Sequence, residues 1–146
     1  MLRLILPALL LPALAFSQTR RARMLDTFDA ETFGAQQEDG RTIVLQFHSS
    51  NCELCVAQER LLGEFARETD PTTPSFFQAD MGSQGNLATL YGAKPSSLLV
   101  FRGKMLVGQE TGLTRREAIL ELITKSVMRS RGLPRPRPKR DFKPKR

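Results

Sequence analysis

A buried strand that leads directly into a cysteine-bearing helix is the feature that most restricts the fold of this chain. Residues 42–47 are Thr-Ile-Val-Leu-Gln-Phe, an almost continuous apolar and β-branched run. Such a run is typical of a strand covered on both faces, as in a parallel or mixed α/β sheet. After the polar residues 48–51, helical spacing begins at Cys52 and continues to Glu68. The sequence therefore predicts an α/β structure in which the cysteines lie where a buried strand meets a helix N-terminus.

The spacing within this helix divides its side chains into an apolar face and a polar face. The apolar face is predicted to carry Leu54, Leu61, Leu62 and Phe65. Gln58 is predicted to lie mostly off that face, together with the charged side chains. The pattern thus directs Leu54 toward the core and Gln58 toward solvent.

The segments around this unit predict alternating strands and helices, then an antiparallel hairpin and a last helix. Besides residues 42–47, strands are predicted near residues 24–28, 76–79, 97–101 and 105–108. Besides the cysteine-bearing helix, helices are predicted near residues 33–37, 87–91 and 114–127. This order predicts a central mixed β-sheet flanked by helices.

Two helix starts carry capping residues. Asp29 or Thr32 is expected to cap the first helix. Thr114 and Glu117 form a Thr-x-x-Glu capping box for the last helix. The apolar stripe of that last helix consists of Ala118, Ile119, Leu122, Ile123 and Val127.

The N-terminal segment carries an apolar run of 13 residues, residues 4–16. A helix needs about 20 apolar residues to span a bilayer, so this run is too short. It is typical of a secretory signal peptide, and its small residues favour cleavage after Ser17. An uncleaved anchoring helix is the alternative. We expect a signal peptide at residues 1–17, a domain at residues 18–128 and a periplasmic location, where disulfides persist.

The net charge of +7 is concentrated in a C-terminal tail. Residues 129–146 contain nine basic residues and one acid, whereas residues 1–128 contain 13 basic and 14 acidic residues. Because proline alternates with arginine or lysine, the tail is expected to be extended and solvated. Its charge suits an anionic membrane surface, and nucleic acid is not expected because aromatic interleaving is absent. A solvated tail with no dedicated partner is the alternative.

The motif Cys52-Glu53-Leu54-Cys55 places two thiols one helical turn apart. The helix dipole and the N–H groups of the first turn favour a thiolate and lower the pKa of the Cys52 thiol. Cys55 can then attack a mixed disulfide formed at Cys52, so the pair can cycle between dithiol and disulfide. The alternatives are a static disulfide and half of a zinc site that includes His48. A c-type haem site is excluded, because Val56 follows Cys55.

The strand, the Cys-x-x-Cys pair, the helix and a proline before a hairpin occur in an order and at a spacing that resemble the thioredoxin superfamily. The resemblance covers about residues 25–127. It implies a thioredoxin-like fold and thiol-disulfide exchange without a bound cofactor, with Cys52 as the attacking thiol and Cys55 as the resolving thiol. It also implies that Pro95 is a cis-proline beside the site, and we assign substrate binding to Pro95 and Lys94.

Several residues depart from the thioredoxin pattern. Gln46 stands where thioredoxins usually have a buried acid, and Asn51 stands where a tryptophan commonly precedes the first cysteine. Pro95 is followed by Ser96 and Ser97, one polar residue more than usual. These departures favour an exported specialist over a general cytosolic thioredoxin.

Glu53 and His48 are candidate modulators of the cysteine pair. A carboxylate beside Cys52 disfavours the thiolate, which favours reductase or thiol-carrier work over disulfide introduction. An imidazole four positions before Cys52 can stabilise a thiolate or move a proton, and a histidine that simply faces solvent is the alternative.

Taken as a whole, the sequence predicts a monomeric, exported thiol-disulfide oxidoreductase. Its substrates are expected to be disulfides or dithiols of other proteins, and an upstream redox partner is required. No metal and no bound cofactor are expected. The non-enzymatic alternative is a thioredoxin-like binding module with a structural Cys52–Cys55 disulfide and a basic tethering tail.

Overall fold

Within residues 25–68 and 72–132, five strands form one mixed sheet with two helices on each face. The computed structural model describes residues 25–68 and 72–132. The strands are β1 (Asp26–Thr27), β2 (Thr42–His48), β3 (Ser75–Asp80), β4 (Ser97–Arg102) and β5 (Met105–Thr111). The helices are α1 (Ala30–Glu38), α2 (Glu53–Ala66), α3 (Gly85–Tyr91) and α4 (Arg116–Arg131). The predicted α/β architecture is confirmed.

The strand order β1-β3-β2-β4-β5 places β2 at the centre of the sheet. This strand runs parallel to β3 and antiparallel to β4, and its residues 43–47 are all buried. The apolar run is therefore covered on both faces, as its composition predicts. The antiparallel pairing of β4 with β5 confirms the predicted hairpin.

Alternate side chains of β2 enter two apolar cores on opposite faces of the sheet. The core under α1 and α3 contains Phe33, Ile43, Leu45, Phe47, Phe77, Ala79, Ala88, Leu99 and Phe101. The core under α2 and α4 contains Val44, Leu62, Phe65, Phe76, Leu98, Val100 and Ile119. Gln46 shares a face with Val44 and is fully buried, so its amide requires hydrogen-bond partners inside the protein.

Of the two candidate caps for α1, Asp29 is the one used. Its carboxylate accepts a hydrogen bond of 2.8 Å from the backbone N–H of Thr32. This bond lowers the pKa of the Asp29 carboxyl, because it stabilises the ionised form.

The capping box predicted for Thr114 and Glu117 is wrong. The N-cap of α4 is Arg115, and no side chain caps the helix. The backbone is still extended at Arg115, so the helix starts one residue later than the pattern indicates and the Thr114 hydroxyl stands outside the N-cap position.

The predicted signal peptide at residues 1–17, Met24 of the predicted edge strand and residues 133–146 of the tail lie outside the described residues. The predicted division of the chain into signal peptide, domain and tail therefore stays a prediction. Of the helices in residues 25–68 and 72–132, none combines the length and the apolar character needed to cross a membrane.

Candidate active site

The two cysteines lie at the carboxyl end of the central strand, where β2 gives way to α2. Cys52 is the N-cap of α2, and its sulfur accepts a hydrogen bond of 3.1 Å from the backbone N–H of Cys55. A disulfide joins the two sulfurs, and the Cα atoms are 5.2 Å apart. The sequence therefore places this pair correctly at the junction of a buried strand and a helix N-terminus.

The two sulfurs have different surroundings. Cys52 is partly exposed, whereas Cys55 is fully buried and its sulfur lies 3.7 Å from the backbone carbonyl oxygen of Phe47. When the disulfide is open, the N–H of Cys55 and the dipole of α2 stabilise a thiolate at Cys52. A buried sulfur beside a carbonyl oxygen suits a neutral thiol, which can donate to that oxygen. The arrangement thus provides one accessible nucleophile and one protected thiol.

A chain of three glutamine side chains lies beneath the cysteine pair. Gln46 donates to the backbone carbonyl of Cys55 at 2.8 Å and to Oε1 of Gln58 at 3.1 Å. Its own Oε1 accepts from Gln78 at 3.0 Å, because these two residues are register partners on β2 and β3. Nε2 of Gln58 donates to the backbone carbonyl of Ser96 at 2.9 Å. Position 46, where thioredoxins usually have a buried acid, therefore carries a neutral amide whose nitrogen and oxygen are both hydrogen-bonded.

Two predictions for α2 are wrong. Gln58, expected mostly off the apolar face, is fully buried, and Leu54, expected on that face, is 49% exposed. The helix contacts the sheet with the face that contains Gln58, Leu62 and Phe65, and the amide partners on β2 and the Ser96 loop make the burial of Gln58 possible. The spacing carried a signal for this, since Gln58 precedes Leu62 by four residues and Phe65 by seven.

The predicted cis-proline is also corrected. None of the described residues has a cis peptide bond, so the bond before Pro95 is trans. The chain reverses instead through Ser96, which has a left-handed φ of 66°. The N–H of Ser97 donates to the carbonyl of Lys94 at 3.0 Å and closes the turn. The additional serine noted in the sequence supplies this turn.

The turn at residues 94–97 lies next to the cysteine pair. The N–H of Ser96 donates at 2.9 Å to the carbonyl oxygen of Phe47, the same oxygen that lies beside the sulfur of Cys55. Pro95 and Lys94 are exposed on this turn. The structure therefore brings both predicted substrate-binding residues to the neighbourhood of the cysteines.

The two candidate modulators occupy different environments. Glu53 is the first residue of α2 and is exposed beside Cys52. His48 ends β2, and its Nδ1 is buried and has no hydrogen-bond partner within the described part of the chain. Glu53 is thus adjacent to Cys52 and accessible, and the modulating roles of Glu53 and His48 stay predictions.

No three His, Cys, Asp or Glu side chains within residues 25–68 and 72–132 come together as a possible metal site. The zinc alternative considered for Cys52, Cys55 and His48 therefore has no ligand set in that part of the chain.

Solved structures with a similar backbone are thioredoxins and related proteins. Trxlp of Edwardsiella tarda EIB202 has a TM-score of 0.62 and 18% identity, over 68% of this chain and 97% of that chain. Thioredoxin NaTrxh of Nicotiana alata has a TM-score of 0.62 and 16% identity, over 73% of this chain and 95% of that chain. The thioredoxin pre-protein of Schistosoma mansoni has a TM-score of 0.59 and 17% identity, over 70% and 98%. The chain has the thioredoxin fold.

The thioredoxin fold inferred from the order of motifs is thus confirmed. No protein-family model matches the chain, and no curated protein matches its sequence. At identities below one fifth, these likenesses establish the fold alone. The function of this thioredoxin-fold protein rests on its own cysteines and their surroundings.

Proposed function

We propose that this chain is a thiol-disulfide oxidoreductase that reduces, or carries electrons to, disulfides of other proteins. The thiolate of Cys52 attacks one sulfur of a substrate disulfide, which forms a mixed disulfide and releases the other substrate sulfur as a thiolate. Cys55 then loses its proton and attacks the sulfur of Cys52, which forms the Cys52–Cys55 disulfide and releases the second substrate thiol. Two electrons pass to the substrate, and an upstream thiol reductant must restore the dithiol.

One observation carries this proposal: the cysteines differ in accessibility while their sulfurs are within bonding distance. Cys52 is partly exposed at the N-terminus of a 14-residue helix, and Cys55 is fully buried behind it. The first step needs an accessible thiolate, and the second needs a protected thiol close to the first sulfur. A disulfide that closes so short a loop contributes little to the free energy of unfolding, so a purely structural role would bring the protein little benefit.

The surface beside Cys52 favours protein substrates. Leu54 and Val56 are 49% and 59% exposed in the first turn of α2, on either side of Cys55 in the sequence. Gly112 is close to Leu54, since a Cβ atom added at Gly112 would lie 4.0 Å from Cδ1 of Leu54. Exposed apolar side chains next to a reactive group suit the apolar segments of a peptide chain. Glu53 adds a negative charge at Cys52, which supports the reducing direction over disulfide introduction.

We also propose that the protein is exported, on the strength of the apolar run at residues 4–16 and the small residues after it. The mass of the protein recovered from the periplasm of a bacterial host would test this. Loss of residues 1–17 supports export, and recovery of the full-length chain in the cytoplasm contradicts it.

We propose an anionic membrane surface as the partner of the basic tail. The end of the sheet opposite the cysteines carries a cleft of about 360 Å³ that includes Arg41, Arg102 and Arg131. These arginines have no ion pair within the described residues, and Arg131 ends the helix from which the tail continues. Positive charge therefore gathers at one end of the domain, and the dithiol lies at the other.

Removing residues 133–146 is expected to weaken binding to phosphatidylglycerol vesicles at least about tenfold, because each basic residue near an anionic surface contributes about 1 kcal/mol. Cosedimentation at low salt measures this, and vesicles of phosphatidylcholine are the control. Equal binding of the full chain to both lipids would refute the membrane partner.

The equilibrium reduction potential of the Cys52/Cys55 pair against glutathione tests the proposed oxidoreductase function. We expect a value between roughly −120 and −270 mV, toward the negative end if the protein is a reductase. A value below roughly −300 mV with slow exchange would instead identify a structural disulfide. That outcome would support the alternative of a redox-inert binding module, whose function would then lie in the basic tail.

A further inference from the structure

We propose that Gln58 is a positioning residue for disulfide exchange, which fixes the shape of the turn at residues 94–97 beside the dithiol. The proposal rests on the proposed function, because the turn matters only if a substrate meets it. The side-chain hydrogen bonds of Gln58 join it to Gln46 and Ser96 and not to a cysteine sulfur. Its effect is transmitted through the backbone of Ser96.

Gln58 connects the helix that carries the cysteines to this turn. The side chain is fully buried on α2, and its Nε2 donates to the carbonyl oxygen of Ser96 at 2.9 Å. Its Oε1 accepts from Gln46 at 3.1 Å. Both ends of the amide are thus occupied, which determines its orientation.

Ser96 needs such support because its backbone conformation is unfavourable. Its φ of 66° lies in the left-handed region, where the Cβ atom of an L-residue crowds the backbone. Residues persist in that region when surrounding contacts enforce it. Three hydrogen bonds hold the Ser96 backbone. Its N–H donates to the carbonyl oxygen of Phe47, and its own carbonyl oxygen accepts from the N–H of Gly112 and from Nε2 of Gln58. Gln58 is the one side chain among these three partners.

The position of Ser96 determines the surface that a peptide substrate would meet. Its N–H bonds to the carbonyl of Phe47, which lies 3.7 Å from the sulfur of Cys55. The two preceding residues, Lys94 and Pro95, are exposed. A shift of Ser96 therefore moves this exposed surface relative to the cysteines. An extended peptide bound at Cys52 would contact the surface, whereas a small disulfide would reach the sulfur without it.

Gln58→Met tests the inference, because methionine has a similar length and cannot form either hydrogen bond. We expect the KM for a disulfide within an extended peptide to rise about five- to tenfold, because of the two lost hydrogen bonds only the one to Ser96 holds the turn. The kcat is expected to stay within about twofold of that of the unsubstituted protein. The KM for a small aryl disulfide is expected to stay unchanged. Gln78→Met is the matched control, since it removes the amide at the other end of the chain of glutamines and keeps the contact between Gln58 and Ser96.

A second substitution separates positioning from a general loss of stability. Glycine adopts positive φ without the crowding of a Cβ atom, so Ser96→Gly favours the same turn without help from Gln58. In the Gln58→Met protein, Ser96→Gly is expected to return the peptide KM to within about twofold of the original value, although it restores no buried hydrogen bond.

The outcomes are distinguishable from failure of the proposed function. If the unsubstituted protein exchanges no disulfide, the proposed function fails and the inference fails with it. If it does exchange, an unchanged peptide KM in Gln58→Met, an equal rise in Gln78→Met or no rescue by Ser96→Gly overturns the inference alone.

If Gln58→Met does not fold, NMR of the unsubstituted protein tests whether Gln58 responds to a peptide bound beside the dithiol. Adding the same peptide with its cysteines replaced by serine should shift the side-chain amide resonances of Gln58 and leave those of the exposed Gln109 in place. No shift at Gln58 on saturation with the peptide overturns the inference.

Discussion

Replacing Cys55 with serine is expected to convert the protein into a trap for its substrates. The accessible thiolate of Cys52 still attacks a substrate disulfide, but the mixed disulfide then has no resolving thiol. Turnover of a peptide disulfide should fall at least about a hundredfold, because the second covalent step is removed. Nonreducing electrophoresis and mass spectrometry should show a covalent adduct that dithiothreitol releases.

Cys52→Ser is the matched control, since it removes the same chemical group from the other position. Its turnover should fall as far, yet the buried Cys55 should capture little substrate. The chain contains two cysteines, so every adduct of the Cys55→Ser protein must form at Cys52. Equal trapping by both variants would show that the cysteines are equally accessible, and trapping by neither would favour a structural disulfide.

The fold was largely predictable because its central features are local and strongly patterned. The run at residues 42–47 is apolar at nearly every position, and a strand of that kind is stable only with cover on both faces. The hairpin of β4 and β5 follows from two apolar runs joined by a short connection with Gly103. The cysteine pair was also predictable, because its spacing and its place after the strand are both visible in the chain.

The chain of glutamines beneath the cysteines was not predicted because its members are distant in sequence. Gln58 lies 12 residues from Gln46 and 38 from Ser96, and a buried amide is stable only when such partners are present. From the sequence alone, a glutamine that stands among charged residues is expected to be exposed to solvent. Helical spacing gives the period at which buried residues recur, but contact with the sheet determines which face of the helix is buried. In α2 the buried face contains Gln58 and leaves Leu54 exposed, the reverse of the prediction.

The turn at Ser96 shows a different limit. The sequence revealed one polar residue more than usual after Pro95, and this was the correct place to expect a departure from the thioredoxin pattern. It did not reveal how the chain would close, because that depends on backbone acceptors at Lys94 and Phe47 and on the donor at Gln58. Local sequence marks a turn, and tertiary hydrogen bonds select its conformation.

Phe101→Ala is expected to lower the free energy of unfolding by about 4 kcal/mol, the usual range for a buried phenylalanine being about 3–5 kcal/mol. Phe101 is 1% exposed on β4, and its ring packs edge-on against Phe33 of α1 and Tyr91 of α3, each at 5.4 Å between centroids. One side chain thus links two helices to the sheet. Since small domains have a total stability of about 5–15 kcal/mol, the loss should be evident in urea denaturation followed by circular dichroism.

Leu90→Ala provides the control for this prediction. Leu90 belongs to the same helix as Tyr91 but is 72% exposed, so its truncation should change the free energy of unfolding by no more than about 0.5 kcal/mol. Phe101 also lies in the core under α1 and α3, across the sheet from the chain of glutamines under α2. A folded Phe101→Ala protein should therefore lose stability but keep the peptide KM of the unsubstituted protein, whereas Gln58→Met is expected to raise that KM. Equal losses of stability in Phe101→Ala and Leu90→Ala would show that the aromatic contacts of Phe101 do not stabilise the packing of α1 and α3 on the sheet.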